Sequence, residues 1–290
     1  MSTHQSKHGS PTQIAEASLH DRSTIHIEIY GEGHSLLLPV NPRPVEGSKA
    51  EELRTYGADP ALGKHLIDGL SDTVRVIAFD YEGQVMQNPK PYTLTPANVV
   101  KDFLSIADAA NADMFAYYGY SWLAMAGLQL ALHTNRLSGL IMGGYPPVDG
   151  PYEEMLLVTT AANAMAGGDP STQALEEDEW STAALSKDQT QQFVTLYSEL
   201  QAFNDRDAQS QIHCPRLCFV GSADEITYGQ NWGNVYISLA SPIIKGRTEL
   251  ENAGWSVHIL EGLDHMQAMQ ATHVLPIIHP WLDKNFSRRT

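Results

Sequence analysis

The sequence predicts an α/β fold: a mostly parallel sheet with helices on both faces, plus a helical cap. Three observations carry that prediction. Short apolar runs alternate with helical segments along most of the chain. One of the runs, "SLLLPV", is continuously apolar, as strands covered on both faces are, and "TVRVIAFD" reads as another buried strand. The chain has 290 residues, 42% of them hydrophobic and 18% charged, enough to enclose a large single core.

Residues 1–22 are polar without a clear period and are expected to form a flexible N-terminal arm. "TIHIEIYG" alternates apolar and polar residues, as a half-buried or edge strand does. A turn from Gly31 to His34 leads into "SLLLPV", then a long Pro/Gly-bearing loop and a helix around Pro60–Leu70. "TVRVIAFD" is the next buried strand and ends at Asp80. In "TPANVVKDFLSIADAA" Thr95 stands as an N-cap before Val99, Phe103 and Ile106 at helical spacing. The strand "DMFAYYGY", a helix from Trp122 and the strand "LSGLIMGGY" follow. Residues 150–210 break the rhythm; helical, acidic and rich in Ala, Gln and Thr, they are expected to form the cap. The alternation resumes with "RLCFVGS", a helical segment over roughly 232–252, "SVHILEG" and a last helix near 272–286. The core is therefore expected over 23–149 and 211–290.

Eighteen Lys and Arg against 34 Asp and Glu give a formal net charge of −16, which repels nucleic-acid phosphates and argues against such a partner. Cys214 and Cys218, four apart at the entry to a strand, lie beyond disulfide reach if both are extended. They also lack the further Cys or His a zinc site requires. The N-terminal stretch has no signal-peptide h-region, and no apolar run reaches the ~18 residues of a membrane span. The expected location is the cytoplasm. The twelve histidines are scattered, with no H-E-x-x-H, and neither a P-loop nor G-x-G-x-x-G occurs. No metal, no cofactor and no membrane partner are expected.

In sheets of this kind ligands collect beyond the carboxyl ends of the strands. There, in "AYYGYSWLAMAGLQLALH", Ser121 stands between a strand and a helix with no other residue intervening. A serine so placed either caps the helix or does chemistry. "GYSWL" resembles the G-x-S-x-G nucleophile elbow of the α/β-hydrolase superfamily, with Leu123 where the second small residue usually stands. "CPRLCFVGSADEI" resembles that family's acid-bearing segment and puts Asp224 on the acid position. In "SVHILEGLDHMQAM" His265 follows a strand and a glycine, where the family's base sits. The three matches fall in the family's order of serine, acid and histidine. Glu225 and Asp149 are rivals for the acid, and Asp264 is expected to face away from the histidine.

The resemblance implies a Ser121–His265–Asp224 triad with an oxyanion hole made by the amides of Trp122 and Asn41. Departures from the family pattern cluster near that hole: Pro39-Val40 where His-Gly is frequent, and Gln84-Val85 in place of the glycine-bearing half of a loop. The HGGG motif of lipases is absent. A serine rather than an aspartate in the elbow points to acyl chemistry. Tyr120, Tyr145, Tyr228 and Met155 are candidate pocket residues, and Trp122 either faces the pocket or packs the elbow. Leu156, Leu157, Met165, Trp180, Phe193 and Tyr197 add apolar surface to the cap. The expected function is a serine hydrolase for an ester, thioester, lactone or related bond of a small, largely apolar substrate. The alternatives are a non-catalytic ligand-binding protein on the same fold and an acyltransferase.

Overall fold

The computed structural model describes residues 9–167 and 184–286. The expected sheet is present. Among the described residues there are ten strands: β1 (Gln13–Ser18), β2 (Thr24–Tyr30), β3 (Ser35–Leu38), β4 (Arg75–Ala78), β5 (Phe115–Tyr120), β6 (Leu137–Gly143), β7 (Arg216–Gly221), β8 (Glu225–Thr227), β9 (Tyr236–Ser238) and β10 (Trp255–Leu260). Eight of them form one sheet in the order β1-β2-β4-β3-β5-β6-β7-β10, while β8 and β9 pair as a separate antiparallel hairpin. From β4 onward every neighbouring pair in the sheet is parallel; β1–β2 and β2–β4 are antiparallel.

The central strands β3, β4 and β5 are buried from both sides. Leu37, Ile77 and Tyr117 face one apolar cluster, and Leu36, Val76 and Ala116 face the other. The second cluster is closed by the helices Leu62–Leu70 and Ala271–Phe286. Thr95 caps the helix Pro96–Ala109 by accepting from the Asn98 amide at 3.2 Å. Among the described residues no helix is long and apolar enough to cross a membrane.

Three segments differ from the sequence reading. The arm expected over 1–22 is, from Gln13, the edge strand β1, paired along its length with β2. Its pattern runs against the usual cue, since Ile14 is exposed while the small Ala17 is buried. The stretch "YEGQVMQ" is a helix, Tyr81–Gln87, because Asp80 caps it through a 2.9 Å bond from the Gly83 amide. The helical segment expected over 232–252 is divided into β9 and the helices Ala240–Lys245 and Arg247–Asn252. Gly233, at φ +82°, turns the chain before β9, and Gly246 separates the two helices.

Within 150–210 the helices Tyr152–Met165 and Lys187–Glu199 pack against each other. The second begins in a reciprocal capping box between Ser186 and Gln189. Trp180 lies outside the described residues.

Candidate active site

Ser121 follows β5 directly, at φ +57° and ψ −133°. A non-glycine residue holds such a conformation at a cost of about 1–3 kcal/mol, so the surroundings must impose it. They do so from two sides. The Ser121 amide donates to the Gly143 carbonyl at 2.8 Å, extending the β5–β6 ladder through the turn. Gly119 lets the helix fold back, since a Cβ there would collide with the Leu123 carbonyl oxygen and lie 2.8 Å from the Tyr117 ring. That same carbonyl accepts the Tyr117 hydroxyl at 2.7 Å. The bulk of Leu123 is absorbed because its side chain packs into the core. The Ser121 hydroxyl makes no capping bond to the helix Trp122–His133 that it precedes. The capping role that competes with chemistry is thus unfilled.

His265 opens the short helix His265–Ala268, and its Nδ1 lies 2.8 Å from Asp224 Oδ2. Two loops laced together set that distance. Ser222 N donates to Leu260 O at 2.9 Å, and Ala223 N to Leu263 O at 3.0 Å. A Cβ at Gly221 would collide with Leu263 O, so glycine there permits the crossing. Asp224 is fully buried, and its backbone carbonyl accepts from the amides of Leu239 and Ala240 at 3.0 and 3.3 Å. Its Oδ1 has no hydrogen-bond partner among the described residues.

The two rival carboxylates, and Asp264 beside the histidine, are occupied elsewhere. Asp149 pairs with Arg206 at 2.7 Å, Glu225 is exposed and bonded to Tyr236, and Asp264 caps the His265 helix through the Gln267 amide at 2.8 Å.

Two chambers meet at Ser121. The larger, about 810 Å³, is lined largely by residues of the segments 38–66 and 80–87 and includes Asn41, Tyr120 and Met266. The smaller, about 220 Å³, is lined by Met155, Phe193, Tyr197, Tyr145 and Tyr228 among others. Ser121, Trp122, His265 and Glu82 belong to both. Trp122 therefore faces the pocket, and its indole also meets Phe193 edge-on at 5.6 Å.

Tyr120 reaches the larger chamber, but its hydroxyl donates to the His265 carbonyl at 2.7 Å and its ring lies 5.0 Å from the imidazole. That makes it a support for the histidine as well as a wall. Burial first, and then the Asp224 charge, hold the Tyr120 phenol well above its ordinary pKa, so it remains a donor.

In the segment 39–42, Pro39 and Pro42 have no N–H, and the Val40 amide turns back to Leu38 O at 2.9 Å. Asn41 is left as the donor, and among the described residues neither its amide nor that of Trp122 donates to a backbone acceptor. Glu82 belongs to the site without belonging to any motif; its one sequence signal is that it follows the β4 strand end by a few residues. Among the described residues no group of three His, Cys, Asp or Glu could hold a metal ion.

No family model and no curated protein matches the sequence. The architecture, in contrast, matches solved structures along nearly the whole chain. It is similar to a thermophilic esterase from Thermogutta terrifontis, at TM-score 0.60 and 16% identity, covering 95% of this chain and 100% of that one. An enol-lactonase from Burkholderia xenovorans LB400 matches at TM-score 0.57 and 17% identity, covering 92% and 99%. A meta-cleavage product hydrolase from Pseudomonas fluorescens IP01 matches at TM-score 0.56 and 13% identity, covering 93% and 97%. At these identities the likeness is one of fold, and the fold is that of the α/β-hydrolases.

Proposed function

We propose that this protein is a serine hydrolase that cleaves an ester or related acyl bond of a small, largely apolar substrate. The observation that carries the reading is the 2.8 Å contact of His265 Nδ1 with Asp224, with His265 and Ser121 both among the residues lining the same cavity. A serine hydroxyl is a poor nucleophile until a base takes its proton. Asp224 fixes the proton of His265 on Nδ1 and stabilises the imidazolium, leaving Nε2 to accept from Ser121. Attack on the acyl carbonyl places negative charge on its oxygen, which the amides of Trp122 and Asn41 receive. Collapse breaks the bond to the leaving alcohol, which takes the proton from His265. Water, deprotonated by the same nitrogen, then releases the acid from Ser121.

Two measurements test the proposal. A fluorophosphonate should label Ser121, and Ser121→Ala should abolish turnover of short p-nitrophenyl esters while leaving thermal stability nearly unchanged. Undiminished turnover in that variant would overturn it.

A second reading, a ligand-binding protein on this fold, draws support from the segment 39–42, where two prolines and the engaged Val40 amide leave only Asn41 as a donor. Loss of one oxyanion donor costs about 3 kcal/mol of transition-state stabilisation. Absence of fluorophosphonate labelling would favour this reading. An acyltransferase would be labelled as a hydrolase is, and analysis of the products formed with added alcohols separates the two. The substrate would be a small molecule in either case, and a cytoplasmic location is part of the same proposal.

A further inference from the structure

Of the four residues shared by the two chambers, the reaction gives Glu82 no task. It is the second residue of the helix Tyr81–Gln87, directly beyond the cap Asp80. Its side chain is exposed and lines both chambers, and the density of the surrounding chain raises its pKa. The Asp80 carboxylate raises it further. The opposing influence is the Trp122 indole N–H, a buried donor that meets no acceptor in full hydrogen-bond geometry. Among the described residues no lysine or arginine pairs with Glu82. Arg43, on the wall of the larger chamber, is held by Glu28 through two bonds of 3.0 and 2.9 Å.

The smaller chamber sets this carboxyl against aromatic walls: Trp122, Tyr145, Phe193, Tyr197 and Tyr228. The one threonine there, Thr159, is turned to its own helix, with its hydroxyl 2.8 Å from Met155 O. Aromatic faces attract cations, and they do so most strongly where water is excluded. A purely apolar arm would cover the Glu82 carboxyl without replacing its hydration, and an anionic arm would meet its like charge. A cation meets neither penalty. At about 220 Å³ the chamber is smaller than the ~300–1,000 Å³ of whole-ligand pockets, so it suits one arm of a substrate.

We propose that the smaller chamber is an ammonium subsite, taking an alkylammonium arm of the substrate with Glu82 as counter-ion and the aromatic rings as walls. As a substrate subsite it rests on the hydrolase reading of Ser121; as a binding site it is tested without turnover. Choline and its uncharged isostere dimethylbutanol differ in charge and hardly in shape. In calorimetric titrations of the full chain carrying Ser121→Ala, choline should bind at least about ten-fold more tightly than the isostere. Adding Glu82→Gln should remove most of that preference, and Phe193→Leu should reduce it several-fold. Equal binding of the two ligands, or a preference that survives Glu82→Gln unchanged, overturns the proposal. Should circular dichroism show that Glu82→Gln does not fold, a preference unaltered by Phe193→Leu overturns it instead. Fluorophosphonate labelling without a choline preference removes the subsite and keeps the hydrolase. A choline preference without labelling does the reverse.

Discussion

The Tyr120 hydroxyl donates to the His265 carbonyl oxygen at 2.7 Å, tying the last residue of β5 to the first residue of the helix that carries the imidazole. The bond crosses the junction between the segments bearing Ser121 and His265, so it fixes their separation without touching the reacting atoms. Tyr120→Phe keeps the ring beside the imidazole and loses only the bond. Stability should fall by about 1 kcal/mol, the net worth of one such bond. If Tyr120 positions the histidine, kcat on p-nitrophenyl esters should fall several-fold with KM nearly constant. A rise in KM at constant kcat would instead mark the residue as a substrate contact.

Asp224→Asn separates orientation from folding. The amide has nearly the shape of the carboxylate, but it can present its NH₂ to Nδ1 and leave the imidazole proton on the wrong nitrogen. Turnover should drop by about ten-thousand-fold, the scale on which such a tautomer error acts in serine-protease triads. The melting temperature should change little, because the buried Asp224 Oδ1 has no partner to lose. Glu225→Gln is the control. Its side chain is exposed and bonded to Tyr236, so activity should stay near that of the parent.

What the sequence makes legible depends on how local the governing interaction is. The central strands are readable because their burial on two faces leaves a continuous apolar run, as in Leu36, Leu37 and Leu38, all almost completely buried. Thr95 is readable because a cap bonds only three residues along its own chain. β1 is not, because its pairing with β2 rests on backbone bonds and small inward side chains, while its largest residue, Ile14, faces solvent. The helix at Tyr81 escapes for a related reason: similarity to a loop pattern competes with the local cap at Asp80, and the cap prevails. Glu82 is the clearest case. Its meaning comes from Trp122 and from Met155, Phe193 and Tyr197, distant along the chain, and nothing adjacent to it in sequence announces them.

Gly119→Ala tests the elbow itself. The added methyl would collide with the Leu123 carbonyl, which is backbone held by the Tyr117 hydroxyl, so it cannot swing aside as a side-chain tip could. Overpacking of this kind costs about 1–3 kcal/mol. Denaturant unfolding should show that loss, and ester turnover should fall more steeply than stability does, because the turn displaced is the one that holds Ser121 at φ +57°. Full activity with a destabilised fold would mean that the turn tolerates the shift.

Asp21 gives a pH signature far from the site. Burial alone would raise its pKa, but the Lys90 ammonium and the Ser23 hydroxyl and amide more than reverse that and bring it to about 2, from an ordinary 3.8. Lys90 is buried and reaches Asp21 as well as Ser23 Oγ, the latter at 3.1 Å. A carboxylate whose folded pKa is depressed stabilises the fold fully above its unfolded pKa, and that stabilisation is lost as pH falls through the folded value. The window is therefore from about pH 4 down to about pH 2. Asp21→Asn should be less stable than the parent at neutral pH, where it leaves the Lys90 ammonium buried without its counter-ion. Across that window the difference should narrow, as the parent's own carboxylate becomes protonated. Denaturant midpoints of both proteins between pH 2 and pH 7 measure it, and a constant gap would exclude the ion pair as its cause.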